Sequence, residues 1–132
     1  MSVLILVVDD ETDMEELFRQ QFRRDLKAGR FEMAFATSGL AALAAIATAP
    51  APDLILLLSD INMPGMSGLE LLPRVKAMHP ALPVVMITAY GDAETRRKAA
   101  EFGAEGLMSK PIDFGALRAD INRRLANRGA AV

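Results

Sequence analysis

Four short polar clusters stand where apolar runs end: Asp9-Asp10-Glu11, Asp60-Ile61-Asn62, Thr88-Ala89-Tyr90 and Lys110-Pro111. Together they offer carboxylates, a hydroxyl and an ammonium. Two carboxylates about 4 Å apart repel by roughly 4 kcal/mol at an effective dielectric of about 20. Left alone, one of them would hold a proton. A hard divalent cation removes the conflict, and carboxylate, backbone carbonyl and water oxygens are the ligands Mg2+ prefers. A metal beside a lysine makes a pocket for a tetrahedral anion. A carboxylate in that pocket can act as a nucleophile toward phosphorus, while cations neutralise the equatorial oxygens.

For this chemistry the clusters must meet, and the chain between them alternates strand and helix. Val3 to Val8 is a continuous aliphatic run, as expected of a strand buried on both faces. Met14, Leu17, Phe18, Phe22 and Leu26 then recur at helical spacing. Phe31, Met33 and Phe35 alternate with Glu32, Ala34 and Ala36, which reads as an edge strand. Thr37-Ser38-Gly39 opens an alanine-rich helix from Leu40 to Ala49, stopped by Pro50. Pro52-Asp53 precedes a third strand, Leu54 to Leu58. Ser67 and Glu70 form a capping box for the next helix. Pro73, about two turns in, should bend that helix and remove a hydrogen bond. Pro83 to Ile87 is a fourth strand, and Asp92 caps a helix to Phe102 that Gly103 ends. Gly106 to Ser109 is a short fifth strand, and Phe114, Leu117, Ile121 and Leu125 form a closing amphipathic helix.

Five β-α units imply a doubly wound α/β fold with a parallel sheet between two helical layers. The expected strand order is 2-1-3-4-5, with the more polar second strand at an edge. In such sheets ligands bind beyond the carboxyl ends of the strands. All four polar clusters lie at such ends.

Bulk properties narrow the function classes. The 132 residues suit one domain, and 52% apolar content supplies a core. With no cysteine, disulfides and thiolate metal sites are excluded. Net charge is −2, which gives no general reason to expect nucleic acid. Residues 1–70 hold 11 acidic and 5 basic side chains, whereas residues 71–132 hold 6 and 10, so the first half should carry any cation site. No basic leader or cleavage site precedes the first strand, and no apolar run is long enough to span a bilayer. A cytoplasmic protein without membrane contact is expected.

Taken in order, Val7-Val8-Asp9-Asp10-Glu11, Ser59 to Gly68 (SDINMPGMSG), Thr88-Ala89-Tyr90 and Lys110-Pro111 resemble the receiver domain of bacterial response regulators, of the chemotaxis-regulator type. The resemblance covers roughly residues 3–127 and implies one receiver domain of flavodoxin-like fold over 1–132. It implies that Asp60 accepts phosphate from a sensor histidine kinase or a phosphotransfer protein. Asp10 and Asp60 would hold Mg2+ directly, Asp9 mainly through water, and the backbone carbonyl of Asn62 would add a ligand. Lys110 would pair with Asp60 and then with the phosphoryl oxygens. Thr88 would move to the phosphoryl group and switch the domain, and Ala89 leaves the attacker room. The Lys110–Pro111 peptide is a cis candidate. A downstream protein would dock on the face of the fourth helix, fifth strand and closing helix. No helix-turn-helix follows residue 125, so direct DNA binding is not expected.

The chain departs from the family pattern at two places. Leu107 stands where many receivers carry the Tyr or Phe that partners the switching threonine. Tyr90, the single tyrosine, is a candidate to take over part of that role and to screen the acyl phosphate from water. The stretch from Pro52 to Asp60 is about two residues longer than usual. An even insertion keeps each side chain on its face, so a longer strand and an intact site are expected. The arginines and lysine at 96–98 and Arg118, Arg123, Arg124 and Arg128 read as solvated helix faces. His79, beside Pro80, is expected to be neither ligand nor phosphate carrier. Two other classes remain: an Mg2+-dependent aspartate-nucleophile phosphatase or nuclease, and a scaffold that is never phosphorylated. Those phosphatases want a second acid two residues after the nucleophile, where Asn62 stands. As a receiver, the chain would be no enzyme toward external substrates.

Overall fold

A computed structural model describes residues 3–48, 54–89 and 91–130. Five strands form, β1 (Leu4–Val8), β2 (Glu32–Ala36), β3 (Leu54–Asp60), β4 (Val84–Thr88) and β5 (Gly106–Ser109). They make one parallel sheet in the order β2-β1-β3-β4-β5, with β2 at an edge as its composition implies. The helices are α1 (Asp13–Gln21), α2 (Arg23–Lys27), α3 (Gly39–Thr48), α4 (Gly68–Met78), α5 (Ala93–Glu101) and α6 (Phe114–Ala130).

Both sheet faces are covered, which is why the central strands are apolar throughout. One face holds Phe18 of α1, Phe22 between α1 and α2, Phe31 and the α6 residues Leu117 and Ile121. Phe114 meets Phe18 edge-on, ring centroids 5.3 Å apart. The other face is aliphatic: Ala42 and Ile46 of α3, Leu71, Leu72 and Val75 of α4, and Ala99 of α5. Small side chains let α3 pack close to the sheet.

Caps fall where side-chain chemistry puts them. Ser67 Oγ accepts from the Glu70 amide and Glu70 returns a bond to the Ser67 amide, so α4 starts with the expected box. Asp92 caps α5 through the Thr95 amide at 2.8 Å. Gly103, at φ +100°, ends the segment in a conformation other residues resist. Pro73 sits on the exposed face of α4, and the helix continues past it to Met78.

Two expectations need correction. The first helix is interrupted at Phe22 (φ −109°, ψ 21°), giving α1 and the short α2. The i−4 hydrogen bonds of Phe22 and Leu26 still form, so the helical spacing survives the break. The longer strand expected before Asp60 forms, with seven residues, but the even alternation does not hold throughout it. Leu4 pairs with Leu54 but Ile5 pairs with Leu56, so one residue, Ile55, bulges out of register. Ile55 and Leu56 consequently pack on the same face. Beyond the bulge the alternation resumes, and Asp60 reaches the end of β3 in register with Ile87. Pro50, Pro52, Asp53 and Tyr90 lie outside the described residues.

Candidate functional site

The ladder at the carboxyl end of the sheet sets each polar cluster in place. Asp9 follows β1, and its amide donates to the Ala36 carbonyl at 3.0 Å. Asp60 closes β3, and the next amide, that of Ile61, bonds the Ile87 carbonyl at 3.0 Å. Thr88 closes β4, and the Lys110 amide after β5 bonds its carbonyl at 2.8 Å. Four strand ends thereby converge on one rim, as the parallel topology requires.

One oxygen from each of Asp9, Asp10 and Asp60 lies within 4.8 Å of the others. Lys110 Nζ stands 3.0 Å from Asp60 Oδ2 and 3.5 Å from Asp9 Oδ2. Asp9, Asp60 and Thr88 are buried, at 6%, 4% and 1% exposure, and Asp10 is half-buried. Backbone donors hold the acids in orientation: the Glu11 amide reaches Asp9 Oδ1 at 2.9 Å, and the Asn62 amide reaches Asp60 Oδ1 at 3.3 Å. Asn62 itself is exposed. The Lys110–Pro111 peptide is cis.

The charges perturb one another. Burial pushes the Asp9 carboxyl above its ordinary value, against the lowering effect of the Glu11 amide, and the neighbouring Asp60 adds to the rise. Burial works against a charged Lys110, but the hydrogen bond and charge of Asp60, with Asp9 behind them, outweigh it and raise its pKa. Lys110 is therefore a fixed cation. Asp9 and Asp60 share that ammonium, and Asp10 stands beside them. At 4.8 Å a pair of like charges repels by about 3 kcal/mol at an effective dielectric of about 20. An all-oxygen set with surplus negative charge, partly open to solvent through Asp10, fits a hard divalent cation that keeps some of its water.

The loop after β3 is shaped by close packing that the sequence reading left out. A Cβ placed on Gly68 would lie 2.2 Å from the Asp60 carbonyl oxygen and 2.9 Å from Ile61 Cα. Only glycine lets α4 begin against the backbone of Asp60, and the Gly68 amide bonds the Ile61 carbonyl at 2.8 Å. The signal was the glycine within SDINMPGMSG. Leu107, half-buried, packs against the aliphatic face of the core. His79 ends α4, the end away from Asp60, and stays outside the cluster.

The basic residues are not uniformly solvated, contrary to expectation. Arg124, with a side chain only 12% exposed, is bound to Glu105 at 2.7 Å and Asp120 at 2.8 Å. Arg118 and Arg30 grip the buried Asp25, and Arg30 also reaches Asn122 Oδ1 at 2.7 Å. These ties fasten α2 and the loop before β2 to α6. The solvated reading holds for Arg97 and Lys98, which make exposed pairs along α5. The side chain of Arg128 lies outside the described residues.

Comparison with known proteins agrees with this geometry. The family model "Response regulator receiver domain" matches residues 5–122. The sporulation initiation phosphotransferase F of Bacillus subtilis is 34% identical over 95% of this chain and 95% of its own length. The transcriptional regulator NtrC of Salmonella typhimurium is 36% identical over 94% of the chain, which spans 25% of that protein. A CheY-like receiver domain protein from Methanospirillum hungatei superposes with a TM-score of 0.85 at 26% identity, covering 100% of both chains. The chemotaxis protein CheY4 of Vibrio cholerae gives 0.80 at 26% identity over 93% of this chain and 98% of its own. No helix among the described residues is long and apolar enough to cross a membrane. With its strand order, its acidic rim and its lysine all accounted for, the chain belongs to the response regulator receiver domain family of two-component, phosphorylation-based signalling.

Proposed function

We propose that Asp60 is the phosphoacceptor of this domain. The observation that carries the reading is its carboxylate, buried among Asp9 and Asp10 and held by Lys110 Nζ at 3.0 Å. An Asp60 oxygen attacks phosphorus as the bond from phosphorus to the donor imidazole nitrogen breaks, leaving an aspartyl phosphate. The donor is a phosphohistidine, from a sensor histidine kinase or a phosphotransfer protein. Lys110 leaves Asp60 for the phosphoryl oxygens, and Thr88, at the end of β4, turns its hydroxyl toward them. Asp9, Asp10 and Asp60, with the Asn62 backbone carbonyl, would hold Mg2+. When bound, the ion supplies positive charge that makes the acids jointly tolerable and offsets the incoming phosphate.

Hydrolysis of that phosphate resets the domain, so its chemistry is confined to its own phosphorylation and dephosphorylation. Asn62, where aspartate phosphatases need an acid, supports this over an enzyme acting on external esters. The relative named a phosphotransferase favours onward relay as one output. Docking of a cytoplasmic protein target on α5, β5 and α6 is the other, with Leu107 in place of an aromatic switch. Tyr90 is assigned to cover the phosphoryl group, so Tyr90→Ala should shorten its lifetime.

A small phosphodonor with Mg2+ tests the central claim. Intact mass should rise by one phosphoryl group in the wild type and stay unchanged in Asp60→Asn. Equal labelling of the two proteins would place the acceptor elsewhere, and labelling of neither would leave a scaffold as the better reading.

A further inference from the structure

The outer face of α1 and α2 carries a charge pattern that the rim does not use. Phe18, Phe22 and Asp25 point inward and are buried. The outward line is Asp13, Glu16, Gln20, Arg24 and Lys27, all exposed. It runs from acid through a neutral amide to base. The positions are symmetric about Gln20: Asp13 mirrors Lys27, and Glu16 mirrors Arg24. Among the described residues none of these four charged side chains, nor the adjacent exposed Arg23, has an ion-pair partner. Arg19, beside the line, is already matched to Glu15 at 3.0 Å.

The helix dipole favours acids at the start of α1 and bases at its end. It favours Arg24 and Lys27 in the last turn of α2 as well, but it does not account for Arg23 at the start of that helix, whose single acid, Asp25, is buried. A surface whose charge reverses about its own centre is complementary to itself when turned through a half-circle. Two-fold packing demands such a surface, because each copy presents the same patch. Antiparallel contact would set Asp13 and Glu16 of each copy against the basic end of the other. The line crosses the break at Phe22, and its span is on the order of 20 Å. The two Gln20 amides would meet on the axis, where each can donate and accept. Leu17, 36% exposed, adds apolar area beside them.

We propose that this face binds a second copy of the same chain, antiparallel about a two-fold axis at Gln20. A single helix pair buries less than the roughly 1,000 Å² expected of a stable interface, so the association is weak and driven by charge.

Sedimentation equilibrium of the full chain decides the matter. At about 20 mM salt the mean mass should climb above 14.3 kDa with concentration, and at about 500 mM the association constant should fall at least tenfold. A wild type that stays at 14.3 kDa throughout overturns the proposal. The doubly substituted proteins Arg23→Glu/Arg24→Glu and Asp13→Lys/Glu16→Lys should each be monomeric alone and pair when mixed. Undiminished self-association of either one puts the interface elsewhere. The chain has no cysteine, so Gln20→Cys is a clean probe needing only a surface change. It should oxidise to a disulfide-linked dimer faster at low salt than at high salt, and faster than Ala44→Cys on the exposed side of α3. Equal rates for the two would also overturn the proposal.

Discussion

Lys110 and Asp60, fifty residues apart in the chain, meet across the end of the sheet with Nζ 3.0 Å from Oδ2. The ammonium does two jobs there. It offsets part of the charge of the crowded acids, and on the proposed function it moves from Asp60 to the phosphoryl oxygens as they gain charge. Lys110→Met removes both effects. Phosphorylation by a small donor should slow by roughly 100-fold, the usual effect of losing one preorganised donor to a charged transition state. Mg2+ affinity should hold or rise, because a competing cation is gone. Calorimetric Mg2+ titration alongside labelling rates checks both. A variant that loses Mg2+ binding and reactivity together would mean that Lys110 only supports the fold of the rim.

Gly65, in the loop after β3, and Gly68, which starts α4, should respond differently to alanine. At Gly68 the new Cβ would run into the Asp60 carbonyl oxygen at 2.2 Å, which is backbone and cannot swing away. The start of α4 must then move, at about 2–4 kcal/mol, and Asp60 moves with it. At Gly65 a Cβ meets nothing within 4 Å, and only its φ of +77° resists substitution, at roughly 1–2 kcal/mol. Urea unfolding of the two variants should keep that order. Gly68→Ala should also slow phosphorylation, while Gly65→Ala should not. The reverse ranking would refute the packing argument.

How far the sequence could lead is visible in the same residues. The topology was readable because buried parallel strands must be apolar, and polar residues at their ends therefore stand out. Asp9, Asp60, Thr88 and Lys110 could be assembled on a rim from strand order alone. The bulge at Ile55 could not, since a run of leucine and isoleucine has no polar marker of register. Nor could the tight approach at Gly68, which depends on how α4 meets β3. Asp25 was hidden for another reason: its distant partner, Arg118, is brought to it only by the folding of α6 against α2.

Asp25 is buried in α2, outside the acidic cluster, with Arg30 and Arg118 both donating to it. Arg118 also lies over the Phe22 ring, 4.9 Å from its centroid. Asp25→Ala should remove the tie between α2 and α6 and destabilise the domain by about 3 kcal/mol. Arg30→Ala leaves the carboxylate one partner, so its cost should be smaller. Denaturant midpoints test the order, and the slope of unfolding should be unchanged in both. If Asp25→Ala unfolds like the wild type, the network is a surface decoration.

Glu105 and Arg124 give a dependence on pH whose sign can be fixed. The hydrogen bond from Arg124 holds the Glu105 carboxyl below its ordinary range, outweighing the opposing effect of burial. Asp92 is lowered in the same way by its bonds to Thr95. A carboxyl with a depressed folded value lends full stability above its unfolded value, and the contribution is lost as pH falls through the folded one. The relevant window is thus the acid limb, from about pH 5 downward. Glu105 is nearly half exposed, so solvent screening limits its share to less than about 1 kcal/mol. Glu105→Gln should therefore be slightly less stable than the wild type near neutrality. The gap between the two should close as pH falls toward about 3. A gap that stays constant over that range would show the two proteins differing in packing rather than in titration, and Arg124 would then owe its position to Asp120 alone.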